Sequence, residues 1–210
     1  MKTTSAKKTP GRWQGEVSSA EEQYLRKRAI IVREAGRLFS ANGFHNTSLD
    51  DIALQLGVTK TSIYHYFKNK NDVLLACFDV GFDTADRALD MATAQGGTGL
   101  DQMSTFVLHY TANILAELGA CAAALELKSV PADEFPAIRK RMRAFDHRIR
   151  AVVLAGIADG SIADMQPMLF ITWVMAAVTT LPKWFQPDGK LSAQEVSEQY
   201  AQIARRMLVR

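Results

Sequence analysis

Apolar residues recur along this chain at intervals of three and four, and this spacing restricts the fold to packed helices. Ile31, Ala35 and Phe39 share one face of a helix that begins near residue 21, and the Asn-Gly pair at 42–43 is a stop signal. No stretch keeps the alternation of period two that a half-buried strand requires. We therefore predict an all-α fold.

Capping residues and breakers divide the chain into separate helices. Thr47-Ser48 precedes Asp50 and Asp51, which is the pattern of a helix N-terminus, because hydroxyls cap the free N–H groups and carboxylates favour the positive end of the dipole. Gly57-Val58 then makes a tight turn. The helices are predicted at about 21–42, 48–56, 59–66, 69–95, 100–118, 121–128, 134–158, 165–185 and 192–208.

The segment "VTKTSIYHYFKNKNDVL", residues 58–74, combines four consecutive rings with three lysines and several hydroxyls. With the preceding helix and its tight turn, it has the pattern of a helix–turn–helix, whose second helix enters the major groove of DNA. Ile63 and Phe67 are expected to face inward. The residues predicted to contact DNA are Thr47, Ser48, Thr59, Lys60, Thr61, Ser62, Tyr64, His65, Tyr66, Lys68 and Lys70.

These residue types have the chemistry that DNA contacts need. Lysine bonds guanine acceptors, Thr and Ser serve either base type, and an ammonium beside free N–H groups at a helix start binds phosphate. The alternative is that the rings are core aromatics and the lysines a solvated rim. Charge favours DNA, because residues 1–70 hold 12 Lys and Arg against 6 Asp and Glu, whereas the remaining 140 hold 13 against 16.

The stretch "GFHNTSLDDIALQLGVTKTSIYHYFKNKNDVL", residues 43–74, resembles the N-terminal domain of the TetR family of bacterial transcriptional regulators. The matching elements are Gly43-Phe44, Thr47-Ser48, Ile52-Ala53, Leu56-Gly57-Val58, Ile63-Tyr64, Tyr66-Phe67, Lys70 and Leu74. The resemblance implies about nine helices, a homodimer, and a C-terminal domain whose bound effector releases palindromic operator DNA.

The polar, basic composition of the first 20 residues and the resemblance together suggest a division of the chain. We predict a disordered basic tail over residues 1–20, a helix–turn–helix domain over 21–68, and an effector-binding and dimerisation domain, an antiparallel helical bundle, over 69–210. The C-terminal stretch "KWFQPDGKLSAQEVSEQYAQIARRML" is similar to TetR-type regulators of fatty-acid and steroid catabolism. That similarity implies a small apolar effector, with acyl-CoA thioesters as candidates.

The C-terminal two-thirds contains more large apolar residues than one buried stripe per helix needs. A mostly apolar pocket between bundle helices, with a few polar groups, is the usual form of a small-molecule site. The alternative is that these side chains only fill a core. The candidate pocket residues are Phe78, Phe82, Met103, Phe106, Val107, His109, Tyr110, Met142, Phe145, Phe170 and Trp173.

Two charged clusters in this half allow more than one interpretation. The predicted helix over 134–158 carries six basic residues, Arg139, Lys140, Arg141, Arg143, Arg148 and Arg150. They are able to hold the phosphates of an acyl-CoA head group, because guanidinium matches phosphate bidentately. They are also able to pair with an acidic line at i, i+4, i+7 and i+11, formed by Asp79, Asp83, Asp86 and Asp90. That acidic line is typical of a solvated helix face, so no metal site is predicted.

The last two long helices carry apolar stripes that we interpret as a dimer surface. The spacings i, i+3, i+4, i+7 and i, i+4, i+7, i+11 place each stripe on one helix face, and two such helices from each subunit make a four-helix interface. Each stripe is alternatively able to pack into its own domain. The residues are Ile171, Val174, Met175, Val178, Val196, Tyr200, Ile203 and Met207.

Other functions receive little support from the sequence. The sequence gives an enzyme little support, because the four histidines are far apart, neither Cys77 nor Cys121 has a nearby base, and no glycine motif for phosphate is present. We predict no catalytic residues and no cofactor. A DNA-binding regulator without an effector remains as the alternative. The cysteines are expected to be buried thiols, and we expect a cytoplasmic protein with no signal peptide and no membrane span.

Overall fold

The computed structural model describes residues 19–117 and 122–209, and within them all regular structure is helical, which confirms the all-α prediction. The predicted tail lies outside this range except for Ser19 and Ala20, which cap and begin the first helix, and Cys121 also lies outside it. The elements are α1 (Ala20–Asn42), α2 (Leu49–Leu56), α3 (Lys60–Tyr64), α4 (Lys70–Gln95), α5 (Gly99–Ala116), the 3-10 helix η1 (Ala122–Ser129), α6 (Phe135–Ala158), α7 (Pro167–Thr179), α8 (Leu181–Trp184) and α9 (Ala193–Leu208).

The capping signals in the sequence act where they were expected. Ser48 Oγ accepts a hydrogen bond from Asp51 N at 3.2 Å, while Ser48 N donates to the Asp51 carboxylate at 2.8 Å, which forms a capping box. Gly57 ends α2 in the left-handed conformation at φ +65°, a region that favours glycine. Asn69 caps α4 by accepting from Asp72 N at 2.9 Å.

Two predicted helices differ from the structure. The segment predicted as a helix over 121–128 is the 3-10 helix η1, with non-helical angles at Glu126. The helix predicted over 165–185 is divided at Thr180 into α7 and α8. Pro182 explains this division, because proline has no N–H to continue the hydrogen-bond ladder and fits best in the first turn of a new helix.

Two hydrophobic clusters form the interior, and α4 contributes to both. The first two turns of α4, including Val73, Leu74 and Cys77, pack with α1, α2 and α3. Further along α4, Ala85 and Leu89 belong to the cluster shared with α5, α6, α7 and α9. The predicted domain boundary at 68/69 therefore falls at the start of a helix that both clusters share.

Candidate nucleic-acid interface and ligand pocket

Helix α3 projects from the N-terminal cluster with most of its side chains in solvent. Ile63 (0% exposed) and Phe67 (3% exposed) anchor it, as the sequence predicts. Because a single residue of α3 faces the cluster, the rest of the short helix is available to a partner. The predicted contact residues that are exposed on or beside α3 are Thr59, Lys60, Thr61, Ser62, Tyr64 and His65.

Hydrogen bonds hold the N-terminus of α3 in a defined geometry. Thr59 Oγ1 accepts from Ser62 N at 3.3 Å and lies 2.9 Å from Ser62 Oγ. Lys60 Nζ donates to Asp50 Oδ2 at 2.6 Å, and this bond raises the pKa of Lys60. Both side chains of that ion pair are exposed, so its contribution to stability is small and Lys60 is able to exchange the carboxylate for an acceptor on DNA.

Some predicted DNA contacts serve the protein's own packing instead. Thr47 is 2% exposed, and its hydroxyl donates to Gly43 O at 3.0 Å. Its side chain is therefore not available to DNA, contrary to the prediction. Lys70 Nζ donates to Phe44 O at 2.7 Å and lies 4.3 Å from the centroid of that ring. The Lys70 ammonium thus ties α4 to the loop before α2 rather than pointing to solvent.

Three further predicted contacts lie around α3. Tyr66 is half-buried and its ring is 4.8 Å from that of Tyr24, which joins the end of α3 to the first turns of α1. Ser48 is at the surface, but its hydroxyl donates to Asp51 Oδ2 at 2.6 Å, and this bond lowers the pKa of Asp51. Lys68 is exposed and directly precedes the cap of α4, where an ammonium is well placed for phosphate.

A cavity of about 430 Å³ lies between α4, α5, η1, α6 and α7. Most of its lining is apolar, and its polar groups come from Tyr110, Asp146, Thr172 and Thr179. Five of the predicted pocket residues line it, namely Phe78, Phe82, Tyr110, Met142 and Phe145. This size and composition are typical of a site for a small apolar ligand.

The other predicted pocket residues lie elsewhere. Met103, Phe106, Val107 and Phe170 are buried in the core of the C-terminal bundle, where the stacked rings of Phe106 and Tyr110 are 5.3 Å apart. His109 is half-buried outside the lining, and Trp173 is exposed on the outer side of α7. The alternative that these side chains only fill a core is therefore correct for the four buried residues. A helix that packs against neighbours on two sides buries some apolar residues away from the cavity.

Helix α7 supplies much of the lining that the sequence analysis missed. Ile171 and Met175, predicted at the dimer surface, line the cavity instead. The other missed lining residues are Gly81, Ala85, Ile114, Leu127, Asp146, Met168, Thr172, Ala176 and Thr179. A signal was present, since Met168, Thr172, Met175 and Thr179 recur at i, i+4, i+7 and i+11.

The predicted dimer surface is also rearranged. Val174 and Val178 on α7 and Val196 on α9 are buried within their own subunit, so they cannot meet a partner. Tyr200 is partly buried against the core, while Ile203 and Met207 are exposed. The outer side of α7 exposes Leu169 and Trp173. Exposed apolar side chains on α7 and α9 therefore remain available to a second copy.

The acidic line of α4 pairs with part of the basic cluster of α6. Arg141 donates to Asp79 Oδ1 at 3.0 Å and also to Asp83, and Arg148 donates to Asp86 Oδ1 at 2.7 Å and also to Asp90. We call these four aspartates and two arginines the ionic ladder. The pairing explanation is thus correct for Arg141 and Arg148, and the ladder joins two helices that both line the cavity.

Comparisons with known proteins identify the family. A sequence profile described as "Tetracyclin repressor-like, C-terminal domain" matches residues 96–208, more than half of the chain, and one described as "Bacterial regulatory proteins, tetR family" matches residues 31–77. The chain belongs to the TetR family. Members of this family bind operator DNA and act as dimers, so this chain is a DNA-binding helix–turn–helix regulator, and its relatives are regulators rather than enzymes.

Individual relatives within the TetR family cover nearly the whole chain. The HTH-type transcriptional repressor KstR2 of Mycolicibacterium smegmatis is 28% identical over 185 residues, which cover 84% of this chain and 88% of the relative. The fatty acid metabolism regulator protein of Bacillus subtilis is 22% identical, with 82% and 91% covered. The ketosteroid transcriptional regulator KstR2 of Mycobacterium tuberculosis has the same fold, with a TM-score of 0.76, 22% identity and coverage of 95% and 100%.

Two kinds of feature are absent from the part of the chain that the structure describes. In residues 19–117 and 122–209, no helix is long and apolar enough to cross a membrane. Over the same residues, no group of three or more His, Cys, Asp or Glu side chains is arranged to hold a metal ion. The exposed α3 and the apolar cavity are the two features on which the functional proposal below is based.

Proposed function

We propose that this TetR-family protein is a ligand-responsive repressor that binds a palindromic operator as a homodimer and leaves it when a small apolar effector occupies the cavity. The continuity of α4 carries this proposal. Its first turns pack against the helix–turn–helix, and Phe78, Phe82 and Ala85 on the same helix line the cavity. A displacement of α4 at the cavity therefore moves the helix–turn–helix.

DNA recognition in this proposal depends on the exposed face of α3. Lys60, Thr61 and Ser62 occupy its first turn, the part of a recognition helix that meets base edges, and Lys68 contacts the phosphate backbone. Two copies of α3 must reach half-sites about 34–36 Å apart on one side of the duplex. We propose that the exposed apolar residues of α7 and α9, including Trp173 and Ile203, hold the two subunits at this spacing.

Effector binding in this proposal shifts an equilibrium between two arrangements of α4. A ligand changes the populations only if it binds one arrangement more tightly than the other. Side chains from α4, α6 and α7 surround the cavity, so filling it favours the arrangement in which these helices are farther apart. The ionic ladder, which joins α4 to α6, resists that separation and restores the DNA-binding arrangement after the ligand leaves.

The names of the relatives support a role in lipid catabolism. One is called a fatty acid metabolism regulator and another a ketosteroid regulator. We propose that this protein controls genes of a related pathway in the cytoplasm, and that its effector is an apolar molecule from that pathway, with acyl-CoA thioesters as the leading candidates. The lining, in which Met142, Met168 and Met175 are adaptable side chains, suits a flexible apolar chain.

Selection of bound duplexes from random DNA, followed by titration with the enriched operator, tests the DNA part of the proposal. Lys68→Gln should weaken binding to all duplexes alike. It should also lower the slope of log K against log salt by about 0.9 per lost phosphate contact, hence about 1.8 for a dimer. Lys140→Gln, on α6 rather than beside α3, is the matched control and should leave the slope unchanged. Enrichment of no sequence at all would refute the proposal.

A thermal-shift panel of fatty acids, sterol derivatives and acyl-CoA thioesters tests the effector part. We expect at least one compound to stabilise the protein and to dissociate the operator complex at the same concentrations. Met142→Trp, which replaces a linear side chain at the cavity with a bulkier indole ring, should reduce the response while operator affinity without ligand stays unchanged. Stabilisation by no compound, together with intact operator binding, would instead favour the regulator without an effector.

A further inference from the structure

An ion pair joins the two helices of the helix–turn–helix at the protein surface. Lys60, the first residue of α3, donates from Nζ to Oδ2 of Asp50, in the first turn of α2, at 2.6 Å. The side chain of Lys60 is 48% exposed and that of Asp50 is 59% exposed. The ammonium also lies 5.9 Å from the centroid of the Tyr64 ring, one turn farther along α3. We call Asp50 and Lys60 the surface pair.

Capping of α2 does not account for the bond between Asp50 and Lys60. Asp51, the other acidic residue in the first turn of α2, closes the capping box with Ser48. Asp50 takes no part in that box, and an exposed ion pair contributes little to stability. A carboxylate beside a DNA-binding helix also lowers the affinity for DNA, because the phosphates are negative on every sequence. The effect of Asp50 on sequence choice therefore depends on what Lys60 contacts.

A phosphate and a guanine make different demands on Lys60. A lysine ammonium has three N–H donors, and the bond to Asp50 uses one of them. Guanine offers two neutral acceptors in the major groove, so Lys60 is able to bond them while it remains beside Asp50. A phosphate is an anion, and its approach to the same ammonium brings two negative charges close together. Asp50 therefore weakens a phosphate contact of Lys60 more than a guanine contact.

The surface pair also fixes the direction of the Lys60 side chain. A lysine side chain has a flexible four-carbon stem, and ordering it on binding costs conformational entropy. Because Asp50 and the Tyr64 ring hold Lys60 in the free protein, part of this ordering precedes the arrival of DNA. The bond to Asp50 also raises the pKa of Lys60, so the ammonium keeps its donors.

We propose that Asp50 is a specificity-determining residue of the helix–turn–helix. Acting through Lys60 as a positioning residue, it directs the ammonium to a guanine at one position of each half-site and lowers the affinity for DNA that lacks this guanine. A like charge placed against the wrong partner is a general source of specificity. This inference depends on the proposed function, because it requires the first turn of α3 to meet base edges.

Binding to two kinds of duplex tests the charge effect of Asp50. We would measure by fluorescence anisotropy the affinity of the full-length protein for the operator selected from random DNA and for a duplex of unrelated sequence. Asp50→Asn should steepen the slope of log K against log salt on the unrelated duplex by about 0.9 per subunit, which raises that affinity about eightfold per subunit at about 0.1 M salt. The operator should gain less, because Lys60 meets a neutral acceptor there.

Single base-pair changes in the operator give a readout that net charge alone does not move. For the wild type, replacing one G·C pair of the half-site should weaken binding by about tenfold. Lys60→Gln should remove the preference at that pair, and Asp50→Asn should reduce it at the same pair while preferences at other positions stay unchanged. Asp50→Glu keeps the charge and should keep the low affinity for the unrelated duplex.

Glu34→Gln is the matched control. Glu34 accepts a hydrogen bond from Arg37 at 2.6 Å, so this substitution also frees a basic side chain, but on α1 instead of α3. It should leave every base preference unchanged. The melting temperature of Asp50→Asn should stay close to that of the wild type, because the surface pair is exposed.

Two results would overturn the inference. If Asp50→Asn changed the affinity for the operator and for the unrelated duplex by the same factor, or changed neither, Asp50 would not determine specificity. If Lys60→Gln altered the preference at no base pair, Lys60 would not read a base. In both cases selective binding of the operator by the wild type would still support the proposed function. Enrichment of no sequence by the wild type would contradict the proposed function and this inference together.

Discussion

Replacing Gly99 with alanine would test how closely α5 packs on α6. A Cβ atom on Gly99 would lie 2.3 Å from Gly156 Cα, 2.4 Å from Gly156 N and 3.0 Å from Val152 O. Favourable carbon contacts are about 3.5–4.0 Å long, so the helices would have to separate by roughly 1 Å. That separation would strain two further hydrogen bonds, from Gly99 N to Asp159 Oδ2 and from Leu100 N to Ser161 Oγ.

The expected loss of stability follows from these contacts. Overpacking of this kind costs about 1–3 kcal/mol, and each weakened hydrogen bond adds about 0.5–1.5 kcal/mol, so Gly99→Ala should lower the free energy of unfolding by about 3 kcal/mol. For a chain of this length the melting temperature would fall by about 6–12 °C. Urea unfolding followed by circular dichroism would measure the effect, at one protein concentration because the dimer contributes to stability.

Gly81 provides the matched control. An added Cβ there meets no atom within 4 Å, and the residue lies inside α4. Gly81→Ala should therefore raise the free energy of unfolding by about 0.4–1 kcal/mol, because alanine loses less backbone entropy in a helix. If Gly99→Ala matched the wild type within about 0.5 kcal/mol, the close approach of α5 and α6 would be wrong.

Three further substitutions test the ion pairs, the turn at α5 and the dimer surface. Arg141→Gln should lower stability by about 1 kcal/mol at low ionic strength, and the difference should nearly vanish in about 1 M NaCl, which would not happen if the residue acted through packing. Bonds from Ser161 and the N–H of Gly99 lower the pKa of Asp159, so its contribution is present above the unfolded pKa of about 3.9 and is lost as the pH falls through the lower folded value. Asp159→Asn should therefore flatten the fall in stability below about pH 4. An unchanged dependence of stability on pH in that range would contradict this. Ile203→Glu should produce monomers in sedimentation and weaken operator binding, whereas a stable dimer would place the interface elsewhere.

The ends of the helices could be predicted because their signals are local. Ser48, Gly57 and Asn69 each act within four residues along the chain, by capping a helix or by adopting a left-handed conformation. The inward direction of Ile63 and Phe67 likewise follows from their spacing on one short helix. For these features the nearest neighbours in sequence are also the nearest in space, so no knowledge of the tertiary structure is needed.

Thr47 and Lys70 show where such local reasoning fails in the DNA-binding unit. Both belong to residue types that contact phosphate, and both lie next to a helix start. In the structure both side chains bond backbone carbonyls between α1 and α2 instead. Thr47 donates to Gly43 O, and Lys70 donates to Phe44 O. A hydroxyl or an ammonium is equally able to serve either role, so the residue type alone does not decide between them.

The apolar helices of the C-terminal half were hardest to predict in detail. Helix α7 is apolar on nearly every side, so its periodicity predicts a buried helix but does not assign each side to a neighbour. Only the packing of α4, α5 and α6 around it decides that Met175 faces the cavity, that Val178 fills the core and that Leu169 meets solvent.

The sequence by itself determined the helical class, the helix–turn–helix, the local caps and the family, because these depend on short-range spacing and turn chemistry. The tertiary structure alone decided which basic residues of α6 are neutralised and which are not. Arg141 and Arg148 meet aspartates about 60 residues away, while Arg143, on another side of the same helix, meets none in the described chain. Contacts between residues so distant along the chain depend on how the helices pack, and spacing within one helix carries no information about that packing.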